Sequence, residues 1–375
     1  MTPAFSFGFT YDKTPGCQVV AVRLSIFADG NRKESHMKDN RPITEEDLAG
    51  ILEANGIGTL SIVSECGPQC TRYTITPVPG IKTSNIRAFF EDGNCPQLPS
   101  GIRFTTQQDS IAVEIPNAVR EEVFFDGLLE GGDFLSRSQP MALPILLGLR
   151  VDHEPEIVDL ATMPNLLIAG ASGQGKSQAI SCVIRSLVRV LSPEDLQLVL
   201  MSPKPDDLKK FCNSCRQYLS PFAHGAENGV VNTRTDAVGT LEAVATEMQD
   251  RCQRSGEMPY IVVIIDEYAD FIYGRSAEAR NFLRYILYLA SNGRTAGIHL
   301  VMATQRLSRD VITPLIKANF PARLALKVPT REDSRVVLDI DGAEKLTGAG
   351  DALLALGYDI RRVQVPNLDS ARKRP

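Results

Sequence analysis

From residue 166 onward the chain contains five mainly apolar runs, separated by longer stretches in which apolar residues recur every three or four positions. A run that is apolar at almost every position is typical of a strand buried on both faces. The longer stretches have the periodicity of amphipathic helices, and one of them, residues 180–191, ends before Pro193. Strands alternating with helices in this way predict an α/β fold with a mainly parallel sheet. The runs are residues 166–169, 196–201, 261–265, 298–302 and 324–328.

The first half of the chain has a different pattern, in which short strand-like segments are separated by glycine and proline. Alternating apolar residues at positions 5–11 and 20–26 predict an N-terminal β-hairpin, followed by a polar linker. Thr44 precedes three acidic residues, which predicts the capped start of a short helix ending near Gly56. Four further strand-like runs before residue 117 indicate a small α+β domain. We therefore expect a hairpin and linker at residues 1–40, a small domain at 41–140, an α/β domain at 141–365 and a polar tail at 366–375.

The composition is that of an ordinary globular protein, with 43% hydrophobic and 23% charged residues among 375. The net charge of −5 excludes a uniformly basic surface but allows a local basic patch that binds nucleic acid. No segment has the ~20 apolar residues of a membrane-spanning helix, and residues 1–11 lack the features of a secretory signal. We therefore expect a cytoplasmic protein. Its eight cysteines are then expected to be free thiols, although Cys212 and Cys215 have a spacing that also suits zinc.

The most specific motif follows the first apolar run and reads G-x-x-x-x-G-K-S. Its glycines allow the backbone to turn tightly and to direct N–H groups at phosphate oxygens. Lys176 is expected to neutralise the β- and γ-phosphates of ATP, and the Ser177 hydroxyl to bind Mg²⁺. The helix that begins here adds the positive end of its dipole. The sequence therefore predicts a nucleotide site formed by Gly170, Ala171, Ser172, Gly173, Gln174, Gly175, Lys176 and Ser177.

Two carboxylates stand at the end of the apolar run 261–265, where an α/β sheet forms its sites. Asp266 is expected to hold Mg²⁺, directly or through water. Glu267 is expected to polarise the attacking water as a general base, which would make the protein an ATP hydrolase. The alternative is that the two acidic residues only cap a strand. The phosphate-binding motif in the same chain disfavours this alternative.

Two further candidates stand on either side of the run 298–302. Gln305 follows this strand, where it can sense the γ-phosphate; the alternative interpretation is a buried structural amide. Arg294 lies in the glycine-flanked turn that precedes the strand. Its guanidinium can reach the nucleotide of a neighbouring subunit and stabilise transition-state charge, as arginine fingers do. The alternative for Arg294 is a solvated surface side chain.

Basic residues are concentrated between residues 291 and 335, where eight of them are opposed by only Asp310, Glu332 and Asp333. Such a local excess suits a nucleic-acid backbone, whose neutralisation gives affinity without sequence preference. It suits contacts between subunits equally well, so the pattern leaves both interpretations open. The eight are Arg294, Arg306, Arg309, Lys317, Arg323, Lys327, Arg331 and Arg335.

Taken together, these motifs resemble the FtsK/SpoIIIE family of ring-shaped DNA translocases over about residues 44–365. The likeness extends beyond the nucleotide motifs to GPQCTRYTITPVPG from Gly67, IAVEIPN from Ile111, EYAD from Glu267, GIHLVMATQR from Gly297, DVITPLIKANFPAR from Asp310, DSRVVLD from Asp333 and GAEKLTGAGD from Gly342. The resemblance implies a RecA-like P-loop NTPase core preceded by a smaller α-subdomain. It also implies that Arg294 is the arginine finger. The residues it assigns to contacts with DNA or neighbouring subunits are Arg306, Lys317, Arg331 and Arg335.

The chain departs from the family pattern at several positions. Leu307, Arg309 and Pro314 replace other residues in the loop after the run 298–302, and Ser202 stands where an aspartate is common. Neither a membrane-spanning N-terminal region nor a C-terminal winged-helix domain is seen in the sequence. Because the latter reads orienting DNA sequences in the family, sequence-directed polarity is not expected.

The resemblance implies an ATP-driven double-stranded DNA translocase that uses ATP and Mg²⁺ and works as a homohexameric ring. Without a membrane anchor, the expected setting is a plasmid, a phage, an integrated element or chromosome segregation. The alternative function is a coupling ATPase for conjugation or specialised secretion, which typically has membrane helices or tandem motor domains. A noncatalytic, nucleotide-gated scaffold is a third class. A soluble P-loop kinase is less well supported, since nothing marks a site for an acceptor substrate.

Overall fold

The computed structural model describes residues 43–91, 98–99, 101–106, 109–130, 134, 136, 140–226, 228–254, 256 and 258–368. The predicted N-terminal hairpin and most of the predicted polar tail lie outside these residues. The described chain forms two compact units. The smaller unit takes its residues from 43–64, 73–91 and 105–112, and the larger from 65–72, 98–104 and 113–368.

The first part of the described chain contains the predicted helix and four short strands, together with a second helix, Thr83–Glu91, that the sequence analysis did not predict. The capped start of α1 is confirmed: the Thr44 hydroxyl accepts a hydrogen bond from the Asp47 N–H, and the Asp47 carboxylate accepts one from the Thr44 N–H. This reciprocal pair satisfies two N–H groups that a helix start leaves without partners. Four strands form one sheet in the order β1-β2-β4-β3. The elements are α1 (Glu45–Ala54), β1 (Thr59–Cys66), β2 (Cys70–Pro77), α2 (Thr83–Glu91), β3 (Arg103–Thr106) and β4 (Ile111–Pro116).

The larger unit is built on a sheet of ten strands in the order β6-β5-β14-β13-β12-β7-β11-β10-β8-β9. The strands are β5 (Pro144–Arg150), β6 (Pro155–Asp159), β7 (Asn165–Ala169), β8 (Leu196–Met201), β9 (Val230–Val231), β10 (Tyr260–Ile265), β11 (Ile298–Thr304), β12 (Ala322–Leu326), β13 (Asp351–Leu356) and β14 (Asp359–Gln364). The helices are α3 (Phe125–Glu130), α4 (Lys176–Val190), α5 (Asp206–Ser214), α6 (Arg234–Arg251), α7 (Tyr268–Ile272), α8 (Ala277–Asn292), α9 (Pro314–Asn319) and α10 (Arg331–Leu338).

The five predicted apolar runs form the parallel part of this sheet, together with the short strand β9. The prediction of a mainly parallel core is therefore confirmed, although β12 begins and ends two residues earlier than expected. Four antiparallel strands, β13, β14, β5 and β6, extend the sheet beyond β12. The sequence analysis did not predict this extension. In β14 the reason is visible, because Arg361 and Arg362 interrupt its apolar pattern.

Helices cover both faces of the sheet, because alternate side chains of a strand point to opposite sides. In β7, Leu166 and Ile168 belong to one apolar cluster, which includes residues of α4. Leu167 and Ala169 belong to the other, which includes residues of α6 and α8. Two-sided burial explains why the central strands are mainly apolar instead of alternating between apolar and polar residues. No helix within the described residues is long and apolar enough to cross a membrane.

A buried cluster of charges lies within the larger unit. The Glu114 carboxylate accepts hydrogen bonds from Arg72 at 2.9 Å and from Arg103 and Arg362 at 3.1 Å. Arg362 also donates to both oxygens of Asp351, at 2.7 and 2.9 Å. Each buried charge of the cluster therefore has an opposite partner, although Arg103 Nε is buried without a hydrogen bond.

Replacing Glu114 with glutamine is expected to lower the free energy of unfolding at pH 7 by about 3 kcal/mol or more, because it removes the countercharge of the buried Arg103 guanidinium and one of the two countercharges of Arg362. Burial raises the pKa of Glu114, but Arg103, Arg362 and Arg72 lower it further, to about 2. This carboxylate therefore stabilises the fold above its unfolded-state pKa of about 4.5, and its contribution is lost as the pH falls toward 2. Denaturant titration between pH 7 and pH 3 measures both effects.

The matched control is Glu91→Gln, which removes a largely exposed carboxylate paired with Arg87 at 3.0 Å. This change should cost less than about 1 kcal/mol, since solvent screens exposed ion pairs. An equal effect of both substitutions would show that the buried cluster is not specially important for stability.

Candidate nucleotide site

The carboxyl ends of β7, β10 and β11 lie at one edge of the sheet, since these strands are parallel and neighbouring. Lys176 is in the first turn of α4, and Asp266 directly follows β10. The Lys176 ammonium donates to Asp266 Oδ1 at 2.6 Å and lies 3.5 Å from Glu267 Oε2. Lys176 and Asp266 are both buried, with 6% and 5% of their surface exposed. Lys176 therefore meets Asp266 and Glu267 at this edge, although Asp266 lies 90 positions later in the chain.

The phosphate loop between β7 and α4 has the backbone that its glycines predict. Gly173 and Gly175 have φ angles of 75° and 107°, a region that favours glycine. At Gly170, a Cβ atom would lie 2.7 Å from Leu326 Cβ, so only glycine fits beside β12. The tight backbone turn expected of these glycines is therefore present, and the close approach to β12 is a further reason for Gly170.

Neighbouring segments hold the loop at three points. The Gly170 N–H donates to the Thr304 carbonyl at 3.3 Å, and the Ala171 N–H donates to the Lys327 carbonyl at 3.0 Å. The Gly350 N–H donates to the Gln174 carbonyl at 3.0 Å. A Cβ atom on Gly175 would approach Gly350 Cα to 3.0 Å, so the loop before β13 packs closely behind the phosphate loop. The sequence analysis did not predict this support from residues 348–350. No local pattern links Gly175 to Gly350, which lies 175 positions later in the chain.

The residues at this edge fit a nucleoside triphosphate with Mg²⁺. Backbone N–H groups at the start of α4 and a buried ammonium suit phosphate oxygens. Ser177 and Asp266 offer the oxygen donors that Mg²⁺ prefers. A bound triphosphate would compete with Asp266 for the Lys176 ammonium, leaving the carboxylate available for the metal.

Glu267 adopts the left-handed conformation, with φ 54° and ψ 58°, and its side chain is turned toward β11. Its carboxylate accepts hydrogen bonds from the Thr304 hydroxyl at 2.8 Å and from the Gln305 N–H at 2.9 Å. Gln305 itself is exposed, which contradicts the alternative of a buried structural amide. Thr304 was not among the predicted site residues. Its position directly before Gln305 at a strand end was the signal that could have identified it.

Arg294 lies at the opposite edge of the sheet from the phosphate loop. It belongs to a 3₁₀ turn, Gly293–Ala296, that precedes β11, and it is exposed. The seven residues of β11 separate it from the site by about 20 Å, at about 3.3 Å per residue. The structure therefore does not bring Arg294 to the site of its own chain.

Acidic residues outside the window 291–335 oppose several of its basic residues, so the excess of charge expected there is smaller in the structure. Arg306 pairs with Asp270 at 3.0 Å, and Arg323 pairs with Asp339 at 2.7 Å. Lys317 also contacts Asp339. Arg331 and Arg335 both pair with Asp341, at 3.7 and 3.0 Å respectively. Counting charges along the sequence missed these partners because they come from neighbouring segments.

The six described cysteines are all free: Cys66, Cys70, Cys182, Cys212, Cys215 and Cys252. Cys17 and Cys95 lie outside the described residues. Burial raises the pKa of the Cys212 and Cys215 thiols, which disfavours the thiolate form that binds metal. No group of three or more His, Cys, Asp or Glu residues able to hold a metal ion occurs in the described part of the chain.

The parallel sheet, the phosphate loop and the acidic strand end define a RecA-like P-loop NTPase core. A solved structure of the pCW3 conjugation coupling protein TcpA has this fold, with a TM-score of 0.59 and 18% identity, over 88% of this chain and 96% of that one. Residues 135–255 and 248–309 match the FtsK/SpoIIIE family. The chain belongs to that family.

Several relatives carry the name DNA translocase FtsK. The protein of Agrobacterium fabrum (strain C58 / ATCC 33970) is 33% identical over 398 residues, which cover 94% of this chain and 43% of that protein. The protein of Chlorobaculum tepidum is 35% identical over 365 residues, which cover 90% of this chain and 44% of that protein. The chain thus spans less than half the length of these relatives.

Proposed function

We propose that the protein is an ATP-driven translocase of double-stranded DNA. The observation that carries this proposal is the meeting of Lys176, Asp266 and Glu267 at the phosphate loop, within a chain of the FtsK/SpoIIIE family. Lys176 binds the phosphates, Ser177 and Asp266 hold Mg²⁺, and Glu267 accepts a proton from the attacking water. Gln305, exposed at the adjoining strand end, reports the γ-phosphate.

The active form in this proposal is a homohexameric ring in which Arg294 completes the site of a neighbour. The support is the position of Arg294, which is exposed at the edge opposite its own phosphate loop. In a head-to-tail ring, one edge of each copy faces the opposite edge of the next. A guanidinium supplied in this way links hydrolysis in one subunit to the arrangement of its neighbour.

DNA contacts are proposed for the loop that follows α7 and the loop that follows β11. These loops carry the exposed residues Arg275, Arg306 and Arg309, and Arg306 stacks over the exposed ring of Tyr273. Arginine side chains of this kind suit phosphate oxygens without reading the base sequence. Lys317, Arg331 and Arg335 are paired with acidic residues and remain candidates for contacts with DNA or between subunits. Arg275 was missed in the sequence because it stands outside the basic stretch.

The test compares the ATPase rate with long linear duplex DNA, with single-stranded DNA and without DNA. We expect duplex DNA to stimulate the rate several-fold and single-stranded DNA to stimulate it less. Displacement of a triplex-forming strand from the duplex then measures movement along it. An ATPase that responds only to single-stranded DNA would favour the coupling-ATPase alternative.

In the same assays, Lys176→Ala should abolish ATP binding, hydrolysis and strand displacement, because the ammonium is the buried cation of the phosphate loop. A matched control is Lys209→Ala, which removes a lysine of α5 paired with the exposed Asp206. The far-ultraviolet circular dichroism spectra of Lys209→Ala and Lys176→Ala should both match the wild-type spectrum. Retention of hydrolysis by Lys176→Ala would contradict the assignment of the site.

A further inference from the structure

The Glu267 carboxylate is engaged by donors on both of its oxygens. The Thr304 hydroxyl donates to Oε1 at 2.8 Å, and the Gln305 N–H lies 3.2 Å from Oε1 and 2.9 Å from Oε2. The Lys176 ammonium lies 3.5 Å from Oε2. A general base must offer a lone pair to the water whose proton it accepts. Here these hydrogen bonds direct the carboxylate toward the end of β11, so it can turn toward another position only when at least one of them breaks.

Thr304 is central to this arrangement because its hydroxyl makes two hydrogen bonds. It donates to Glu267 and accepts from the Arg306 N–H at 3.0 Å. Thr304 is fully buried, so water does not compete for the hydroxyl. The result is a short chain of hydrogen bonds that runs from the backbone of Arg306 to the carboxylate.

The side chain of Arg306 makes a second connection between the same two segments. Its guanidinium lies 3.0 Å from Asp270 and stacks over the Tyr273 ring, 4.9 Å from the ring centre. Asp270 follows Glu267 by three residues, so segments 304–306 and 267–273 are joined at two points. With 47% of its surface exposed, the Arg306 side chain can also be reached by a ligand. A phosphodiester offers the guanidinium an anion that competes with Asp270.

We propose that Thr304 is a positioning residue that holds Glu267 in a resting position, and that a DNA phosphate at Arg306 releases it. This inference rests on the proposed function. When the phosphate draws Arg306 from Asp270, segment 304–306 shifts and the hydrogen bonds from Thr304 and Gln305 to Glu267 break. The freed carboxylate can then turn toward the attacking water. Hydrolysis is thereby kept slow until DNA is present.

The test measures ATPase rates of Thr304→Val and Thr304→Ser with and without duplex DNA. Valine has nearly the shape of threonine but lacks the hydroxyl, so we expect the DNA-free rate to rise about tenfold, which corresponds to about 1.4 kcal/mol. The ratio of the DNA-stimulated rate to the DNA-free rate should fall toward one. Serine retains the hydroxyl and should restore the dependence on DNA. A gain of DNA-free activity is an effect that mere loss of packing would not produce.

If Thr304→Val lowers both rates at an unchanged melting temperature, the inference is overturned, because Thr304 would then orient Glu267 for reaction. If that variant does not fold, Asp270→Asn tests the second connection: a raised DNA-free rate supports the inference and an unchanged rate overturns it. Should duplex DNA fail to stimulate the wild type, the proposed function fails. In that case the DNA-free rates of Thr304→Val and Thr304→Ser still decide whether the hydroxyl restrains Glu267.

Discussion

Replacing Arg294 with alanine is expected to reduce DNA-stimulated ATP hydrolysis by about a thousandfold. An arginine finger contributes about 10³–10⁵ to kcat by neutralising charge on the transferred phosphoryl group. The side chain is exposed and lies about 20 Å from its own phosphate loop, so neither the fold nor ATP binding should change. Steady-state ATPase rates and titration with a fluorescent ATP analogue separate these effects.

A mixture of the Arg294→Ala and Lys176→Ala proteins tests whether Arg294 acts on the site of a neighbouring subunit. If Arg294 acts on a neighbour, a mixed ring contains interfaces in which an intact Lys176 faces an intact Arg294, about a quarter of them for random mixing. Activity should then reappear although each variant alone is inactive. Arg189→Ala, which removes another exposed arginine at the end of α4, is the matched control and should retain hydrolysis. The absence of any recovery on mixing, with rings seen by electron microscopy, would contradict action between subunits.

Replacing Glu267 with glutamine is expected to lower kcat by about 10²–10⁴, the contribution typical of a positioned general base. Glutamine has the same shape, and its carbonyl oxygen can still accept the hydrogen bond from Thr304. Lys176 and Asp266 remain in place, so affinity for ATP should change little. Single-turnover hydrolysis measures the rate of the chemical step, and nucleotide titration measures the affinity for ATP.

The control for this change is Glu242→Gln, which alters an exposed carboxylate on α6. Its hydrolysis rate should equal that of the wild type. If Glu267→Gln kept more than about a tenth of the wild-type rate, a role for Glu267 as the base would be excluded, since the expected loss is at least about a hundredfold.

Local patterns were sufficient to predict the parallel core of the fold. The central strands are mainly apolar because helices cover both faces, and this two-sided burial is visible in the sequence itself. The antiparallel strands β13, β14, β5 and β6 were not predicted. Strand β14 contains Arg361 and Arg362, whose charges are satisfied by Glu156, Asp359, Asp351 and Glu114 in the folded chain. A charged strand of this kind is recognisable only when its partners are known.

The residues of the candidate site were also predicted from local patterns. Asp266 directly follows β10, and Lys176 follows β7 after the phosphate loop; parallel neighbouring strands bring their carboxyl ends to one edge. Charge counting along the chain was less successful. It counted only three opposing acidic residues, whereas Asp270, Asp339 and Asp341 also pair with four of the arginines and with Lys317. These partners lie outside the stretch in sequence and beside it in space.

The sequence by itself determined the phosphate loop, the two carboxylates after β10 and the strands that carry them. These features depend on residue type, glycine conformation and short spacings, all of which are local properties. Only the tertiary structure decided that Gly350 packs behind Gly175 and that Thr304 and Gln305 hold Glu267. It also decided that Arg294 faces away from its own loop. Such relations depend on which strands become neighbours, and that choice is made by the packing of the whole sheet, because no short segment contains both partners.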